Sequence, residues 1–273
     1  MFKLSIVYTP LKAKFEAVAT GAPEVVIPLL AELGYNGVEF SLLDPSELLR
    51  LASIAHDYGL QVPAVGTGLN YLHLGLDLTG PDEETRRRAL ERILDFIAGA
   101  YRSEAGGVII GLIRGRGEHY STVEEALKVL ENQLQAVCKS ASEHGVRVFL
   151  EPLNRYETRL INTVSEGLDF IGRLDCGSVY LLLDTFHMNI EEPVIEDSIR
   201  AAGDRIGHFH VADSNRYAPG MGHLDFSSIL AALHDTGYRG FVSAEVIVKP
   251  DFEAVAKLTL NTLRVAMRGL QNL

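Results

Sequence analysis

Short apolar runs alternate with longer polar segments along the whole chain. The runs are rich in Val, Ile and Leu, and several are apolar almost throughout, as in Val108-Ile109-Ile110 and Leu181-Leu182-Leu183. Unbroken apolarity indicates parallel strands covered on both faces, because a strand with one wet face would alternate. The pattern predicts eight strands, at residues 3–8, 37–41, 61–66, 107–113, 146–151, 179–184, 206–211 and 241–246.

The polar segments predict amphipathic helices. Asp82, Glu83 and Glu84 fall in the first turn of one of them, where acidic side chains interact favourably with the helix dipole. The stretch Ser121-Thr122-Val123-Glu124 has the spacing of a capping box and predicts the start of another helix. Glycines mark further helix ends, at Gly34, Gly59 and Gly237.

Eight strand–helix units fill the 273 residues of the chain. Each unit therefore averages about 34 residues, which suits the βα repeat of a barrel. An eightfold alternation implies either a closed (β/α)8 barrel or a long doubly wound sheet. The barrel is favoured because no stretch is typical of a linker or a second domain. We predict a single α/β domain over residues 1–273, a (β/α)8 TIM barrel with its active site at the C-terminal ends of the strands.

Composition and charge narrow the range of partners. The chain is 47% hydrophobic and 22% charged, which is typical of a globular enzyme. Its net charge of −11 repels phosphate backbones and anionic lipid, and no long block of Lys and Arg offsets that charge. The N-terminus does not resemble a signal peptide, and no run approaches the ~18 apolar residues of a spanning helix. We therefore expect a cytoplasmic protein with no nucleic-acid and no membrane partner.

The two cysteines, Cys138 and Cys176, lie in different predicted segments and have no CxxC spacing. Cytosolic cysteines are usually reduced, and this spacing does not fit a metal or redox motif. We therefore expect two reduced thiols rather than a disulfide or a metal pair.

Four potential metal ligands lie at the ends of predicted strands five to eight. A carboxylate that closes an apolar strand is costly unless it is paired, protonated or bound to a metal. One such residue could be a helix N-cap, but four on successive strands are harder to explain in that way. Three carboxylates and one imidazole suit a divalent cation that accepts oxygen ligands. The predicted ligands are Glu151, Asp184, His210 and Glu245, and the predicted ion is Mn²⁺, with Mg²⁺, Co²⁺ or Zn²⁺ as alternatives.

The sequence around these residues resembles a known family. Four strings carry the resemblance: EPLNRYE at 151–157, DTFHMN at 184–189, HVADSNR at 210–216 and SAE at 243–245. They resemble the ketose 3-epimerase family, which includes D-tagatose 3-epimerase and belongs to the xylose-isomerase-like TIM barrels. The resemblance covers essentially the whole chain in strand order. The strings at 151–158 and 184–192 look most like the branch that contains 5-keto-L-gluconate epimerase.

The resemblance implies an isomerase, specifically a metal-dependent epimerase of a ketose or keto-sugar acid. Such an enzyme inverts the carbon beside the ketone by two-carboxylate proton exchange through a metal-stabilised enediolate. By resemblance, Glu151 and Glu245 are the acid/base pair and also metal ligands, together with Asp184 and His210. The substrate sugar and the oligomeric state stay open, and a homo-oligomer is one alternative. The family's substrate-oxygen contacts match Glu157, His187 and Arg216.

Two arginines after strand four, Arg114 and Arg116, have two interpretations. They could belong to a solvated or salt-bridged loop. They could also bind a substrate carboxylate, which a guanidinium does well with two parallel hydrogen bonds. The second interpretation fits a keto-sugar acid better than a neutral ketose.

Other polar residues near the predicted site have less specific signals. His208 is predicted to be an interior barrel residue rather than a ligand, and Asp225 a helix N-cap. Glu39 closes strand two, where it could line the pocket or form an interior salt bridge. His223 could orient a loop or contact the site.

Several alternative functions share this fold and metal set. A ketose–aldose isomerase, a hydroxypyruvate isomerase or an inosose dehydratase would use a similar site, and a non-catalytic sugar-binding module is a more remote alternative. A DNA-repair endonuclease of this fold needs further His ligands at strands three and four, as the family resemblance implies. The chain has Val65-Gly66-Thr67 and Gly111-Leu112-Ile113 there, so its sequence and acidity argue against that activity.

Overall fold

A parallel β-barrel forms the centre of the molecule in a computed structural model that describes residues 1–11 and 13–272. Eight strands follow one another in the order β1-β3-β4-β5-β6-β7-β8-β9, and pairing of β1 with β9 closes the barrel. The short β2 pairs with β1 beyond the end of β9, at the mouth. The strands are β1 Lys3–Thr9, β2 Ala19–Thr20, β3 Glu39–Ser41, β4 Val65–Gly66, β5 Gly107–Ile110, β6 Arg147–Leu150, β7 Val179–Asp184, β8 Ile206–Val211 and β9 Phe241–Ala244.

Helices surround the barrel and bury their apolar stripes against it. Among residues 1–11 and 13–272, no helix has the length and apolar character needed to cross a membrane. The helices are α1 Pro23–Leu33, α2 Leu48–Asp57, α3 Gly68–Leu74, α4 Glu83–Arg102, α5 Val123–His144, α6 Val164–Arg173, α7 Thr185–Glu191, α8 Ile195–Ala202, α9 Phe226–Asp235 and α10 Phe252–Arg268.

The predicted (β/α)8 barrel is confirmed, and the differences lie at the strand ends. The predicted strands at 179–184 and 206–211 coincide with β7 and β8. The strand predicted at 107–113 ends earlier, because a 3₁₀ turn at Leu112–Arg114 follows Ile110. The strand predicted at 61–66 is reduced to Val65–Gly66. Apolar residues thus continue beyond the strands into buried loop segments, which hydrophobicity alone does not distinguish from strand.

The predicted helix starts are correct in position, with one change of residue. The capping box of α5 is Thr122 with Glu125, one residue later than the predicted Ser121 and Glu124. Both pairs have the S/T-x-x-E spacing, so the pattern alone could not choose between them. Gly34, at the end of α1, has a φ of 91°, the left-handed conformation expected at a helix C-terminus.

The prediction of two reduced cysteines is wrong in this structure. Cys138 on α5 and Cys176 after α6 form a disulfide, with their Cα atoms 6.0 Å apart. The two residues are 38 positions apart in the chain, and only the packing of successive outer elements brings them together. Spacing in the sequence therefore held no signal for this pair.

Candidate active site

The four predicted metal ligands meet at the C-terminal end of the barrel. Glu151 directly follows β6, Asp184 ends β7, His210 lies in β8, and Glu245 directly follows β9. Because these four strands are neighbours in the barrel, their ends bring the side chains to one side of the mouth. One ligand atom from each residue lies within 4.8 Å of all the others, so the group could hold a metal ion.

The polar atoms of this group are placed to bind a cation rather than to form hydrogen bonds with one another. Glu151 Oε1, Asp184 Oδ2 and His210 Nδ1 are buried and have no hydrogen-bond partner within the described part of the chain. His210 Nδ1 lies 3.8 Å from Glu151 Oε1 and 4.0 Å from Asp184 Oδ2, too far for a hydrogen bond. Buried polar atoms are rarely left unsatisfied in proteins. Their convergence leaves a space in which a cation could satisfy all three atoms.

Burial and mutual repulsion shift the pKa values of the carboxylic acids upwards. Burial, with Glu245 and Asp184 nearby, raises the pKa of Glu151 well above its ordinary value. Burial likewise raises the pKa of Asp184, and it raises that of Glu245 to about 7 despite the attraction of Arg216. Three carboxyl groups in one buried space cannot all ionise cheaply unless a cation joins them.

Glycine at position 111 leaves room for one of these carboxylates. A Cβ on Gly111 would lie 2.6 Å from Glu151 Oε2, closer than van der Waals contact allows. Gly111 follows β5 and lines the same cavity as Glu151. Any side chain at this position would push the Glu151 carboxyl away from its present position.

His187 faces the same space but presents a donor instead of an acceptor. Its Nδ1 accepts a hydrogen bond from the backbone N–H of Asn154 at 3.2 Å. Burial and the nearby Arg216 lower the pKa of His187 well below its ordinary value, so the ring is neutral. A neutral imidazole whose Nδ1 accepts must carry its proton on Nε2. This Nε2 is buried, has no partner among the described residues, and lies 3.9 Å from Glu151 Oε1 and from Asp184 Oδ2.

Arg216 connects Glu245, a predicted acid/base residue, to Glu157, a predicted substrate contact. Its guanidinium donates to Glu157 Oε1 and to Glu245 Oε2, both at 2.9 Å. Two aromatic rings lie against it, with the guanidinium carbon 4.8 Å from the ring centroid of Phe15 and 4.6 Å from that of Phe186. These contacts fix the plane of the guanidinium, so that Glu157 and Glu245 are held at a defined separation.

The structure places the two arginines after β5 away from this cavity. Arg114 is fully buried, and its guanidinium donates to the backbone carbonyls of Glu151, Leu160 and Ile161. Arg116 is exposed and lies 6.0 Å from the ring of Tyr71. This differs from the hypothesis of a substrate-carboxylate contact. The 3₁₀ turn that ends β5 directs Arg114 behind the site, which charge and position in the sequence could not reveal.

The structure also shows the contacts of Glu39, His223 and Asp225, three polar residues near the site. Glu39 lines the cavity and is also hydrogen-bonded to buried His208. The two predicted roles, in the pocket and in an interior ion pair, are therefore compatible. His223 is hydrogen-bonded to Ser214 Oγ at 2.9 Å, in the loop after β8. Asp225 caps α9 by accepting from Ser227 N, as predicted.

Two residues at the site gave no clear sequence signal. Asn154 lies inside the string at 151–157, and its position there was the only available clue to its contact with His187. Phe15 lies between β1 and β2 in a segment without regular structure, and its contact with Arg216 could not be read from the chain.

Comparison with known proteins identifies the family of this chain. Residues 27–265 match the family described as xylose isomerase-like TIM barrel. The chain belongs to this family. It is 33% identical over 239 residues to D-psicose 3-epimerase of Ruminiclostridium cellulolyticum, covering 82% of this chain and 78% of that protein.

Solved structures extend the comparison to two kinds of sugar epimerase. The structure of an L-ribulose 3-epimerase superposes with a TM-score of 0.84 at 28% identity, covering 100% of this chain and 98% of the other. The apo structure of 3-keto-D-glucoside 4-epimerase from E. coli gives a TM-score of 0.81 at 26% identity, covering 97% and 100%. The relatives are thus sugar epimerases, which are isomerases.

Proposed function

We propose that the protein is a metal-dependent sugar epimerase that inverts the carbon beside the ketone of a ketose. One observation carries the proposal: buried atoms of Glu151, Asp184 and His210 that have no partner among the described residues converge in a cavity that also holds Glu245. The relatives named as ketose 3-epimerases support the same reaction class. We propose Mn²⁺ as the cation, because oxygen ligands predominate in the donor set.

Glu151 and Glu245 are proposed to move the proton. They follow β6 and β9, which are separated by two strands, so they approach a sugar in the cavity from different directions. Burial raises both pKa values in the absence of a cation, and a bound cation would lower them, so that one carboxylate accepts the proton of the substrate carbon while the other carboxyl group returns one. Each such transfer contributes about 10²–10⁴-fold to the rate.

The remaining residues hold the substrate and the developing charge. A divalent cation bound by Glu151, Asp184, His210 and Glu245 would polarise the ketone and stabilise negative charge on its oxygen. The Nε2–H of His187 is a preorganised donor that faces the same space, and a donor of this kind is most effective in a dry pocket. Glu157 and Arg216 line the cavity and are proposed to contact the sugar hydroxyl groups.

The charges of the cavity favour a neutral sugar. Among the described residues that line it, Arg216 is the only Lys or Arg, and carboxylates already engage both of its terminal nitrogens. A substrate carboxylate would also meet Glu39, Glu151, Glu157 and Glu245. We therefore propose a neutral ketose, and a keto-sugar acid is the comparison substrate in the test.

The test is incubation of the Mn²⁺-loaded protein in D₂O with a panel of ketoses and keto-sugar acids, followed by NMR. An epimerase incorporates deuterium at the carbon beside the ketone and forms the epimer. An isomerase would form an aldose, a dehydratase would release water, and a binding module would exchange nothing. Glu151→Gln and Glu245→Gln should abolish exchange, while Glu124→Gln, at an exposed position, should not. Native exchange by either of the first two variants would refute the proposed acid/base pair.

A further inference from the structure

A buried carboxylate on the far side of the barrel contacts a predicted metal ligand. Glu39 Oε1 lies 2.9 Å from Nε2 of His210, and Glu39 Oε2 lies 2.7 Å from Nε2 of His208. Glu39 is on β3 and both histidines are on β8, and β1 and β9 lie between these strands. The hydrogen bonds therefore cross the barrel interior, where all three side chains are at most 2% exposed.

An ionised carboxylate is an obligatory acceptor, and this fixes the protons of its partners. Each oxygen of the Glu39 carboxyl group lies within hydrogen-bond distance of one histidine Nε2, and Glu39 has no other side-chain partner among the described residues. Each carboxylate oxygen thus receives an N–H, and both histidines carry a proton on Nε2. An apolar group could not replace Glu39 without leaving these two buried N–H groups unpaired.

The proton on Nε2 leaves Nδ1 of His210 as the atom available to a cation. That Nδ1 is buried, has no partner among the described residues, and faces Glu151 and Asp184. Carboxylates that accept from the second nitrogen of a metal-bound histidine orient the ring and increase its basicity. We infer that Glu39 is a positioning residue that holds His210 in the tautomer and orientation in which Nδ1 binds the metal ion. This inference rests on the metal-dependent function proposed above.

The substitution Glu39→Gln tests this role with almost no change of shape. The amide offers one acceptor oxygen where the carboxylate offers two, and its NH₂ group cannot accept from a histidine. One of the two histidines must then lose its acceptor or change tautomer, and the histidine that keeps the amide oxygen loses the charge-assisted bond to a carboxylate, so the orientation and basicity of His210 fall in either case. A purely structural role for Glu39 would lower stability, whereas a positioning role lowers the affinity for metal.

The measurement is titration of chelator-treated protein with Mn²⁺, with free Mn²⁺ followed by electron paramagnetic resonance. Glu39→Gln is expected to raise the Kd for Mn²⁺ about 10–100-fold, and saturating Mn²⁺ should restore most of kcat. His208→Gln is the matched control, because its amide can still donate to Glu39 and leaves the contact with His210 intact. Its Kd should stay close to that of the wild type. In the double variant, the two introduced amides can pair with each other, so the amide oxygen at position 39 is free for His210 and part of the affinity should return.

A second measurement needs no variant. In ¹⁵N-histidine-labelled wild-type protein loaded with Zn²⁺, His210 should carry its proton on Nε2 and bind the ion through Nδ1. A protonated Nδ1, or a folded Glu39→Gln protein with the wild-type Kd, would overturn the inference. If the wild-type protein binds no metal, the proposed function fails as well. If it binds normally and Glu39→Gln binds equally well, only the role of Glu39 fails.

Discussion

Replacing Arg114 by Met should destabilise the protein strongly, although the side chain does not line the cavity. The guanidinium donates to the carbonyls of Glu151, Leu160 and Ile161, and it is fully buried. Methionine keeps much of the apolar stem and removes every donor. Ile161 O also accepts from Leu153 N, so among the described residues two carbonyls lose their only partner.

The magnitude follows from these two carbonyls. A buried acceptor left unsatisfied costs about 1–3 kcal/mol, so the loss is about 2–6 kcal/mol in the free energy of unfolding. Removing a buried charge offsets part of this loss in the free energy of unfolding. Burial disfavours the charged guanidinium and lowers the pKa of Arg114 to about 10. We expect a net loss of about 2–4 kcal/mol, which lowers Tm on the order of 10 °C in a domain of this size.

The assay is urea and thermal unfolding of Arg114→Met beside Arg116→Met. Arg116 lies two residues away and is exposed, with its guanidinium carbon 6.0 Å from the ring centroid of Tyr71. Its substitution should change the unfolding free energy by no more than about 0.5 kcal/mol. A stable Arg114→Met protein that loses affinity for keto-sugar acids alone would refute this reasoning and restore the substrate-contact hypothesis.

Two further predictions concern pH and the loop that carries Arg216. Burial raises the pKa of Glu245 to about 7, so metal-depleted protein holds an extra proton and should lose stability as pH rises from about 5 to 7. Mn²⁺ should therefore raise Tm more at pH 8 than at pH 6, and an equal gain would contradict this. Asp213 accepts from the backbone N–H groups of Ser214, Gly220 and Leu224, so Asp213→Asn should cost about 1.5–3 kcal/mol and speed limited proteolysis after β8. An unchanged proteolysis rate would argue against this anchor.

The sequence predicts the barrel and the positions of its strand-end residues because both depend on local pattern. Glu151, Asp184, His210 and Glu245 recur about once per βα unit, and closure of the barrel brings them together. The disulfide could not be predicted, because it depends on how α5 packs beside the loop after α6. The burial of Arg114 depends on a single 3₁₀ turn after β5. Features set by the path of a loop or by contacts between outer elements have no fixed spacing in the chain.

The contact between Glu39 and His210 shows a second kind of limit. The residues are 171 positions apart and belong to strands that do not pair, so no local pattern connects them. Eightfold βα alternation predicts that strands β3 and β8 share an interior, but not which side chains meet there. Which side chains meet depends on the stagger between the strands. The sequence of a strand as short as Glu39–Ser41 does not determine that stagger.

The two histidines at the cavity show that partners, rather than residue type, assign chemical roles. His210 donates its Nε2–H to Glu39, so Nδ1 is the nitrogen that faces the carboxylates and would bind a cation. His187 uses Nδ1 to accept from Asn154, so its Nε2 faces the same space with a proton and suits a substrate oxygen. Exchanging these tautomers would place a proton against the cation and a lone pair against the substrate oxygen. The proposed reaction therefore depends on Glu39 and Asn154, neither of which needs to touch the reacting carbon.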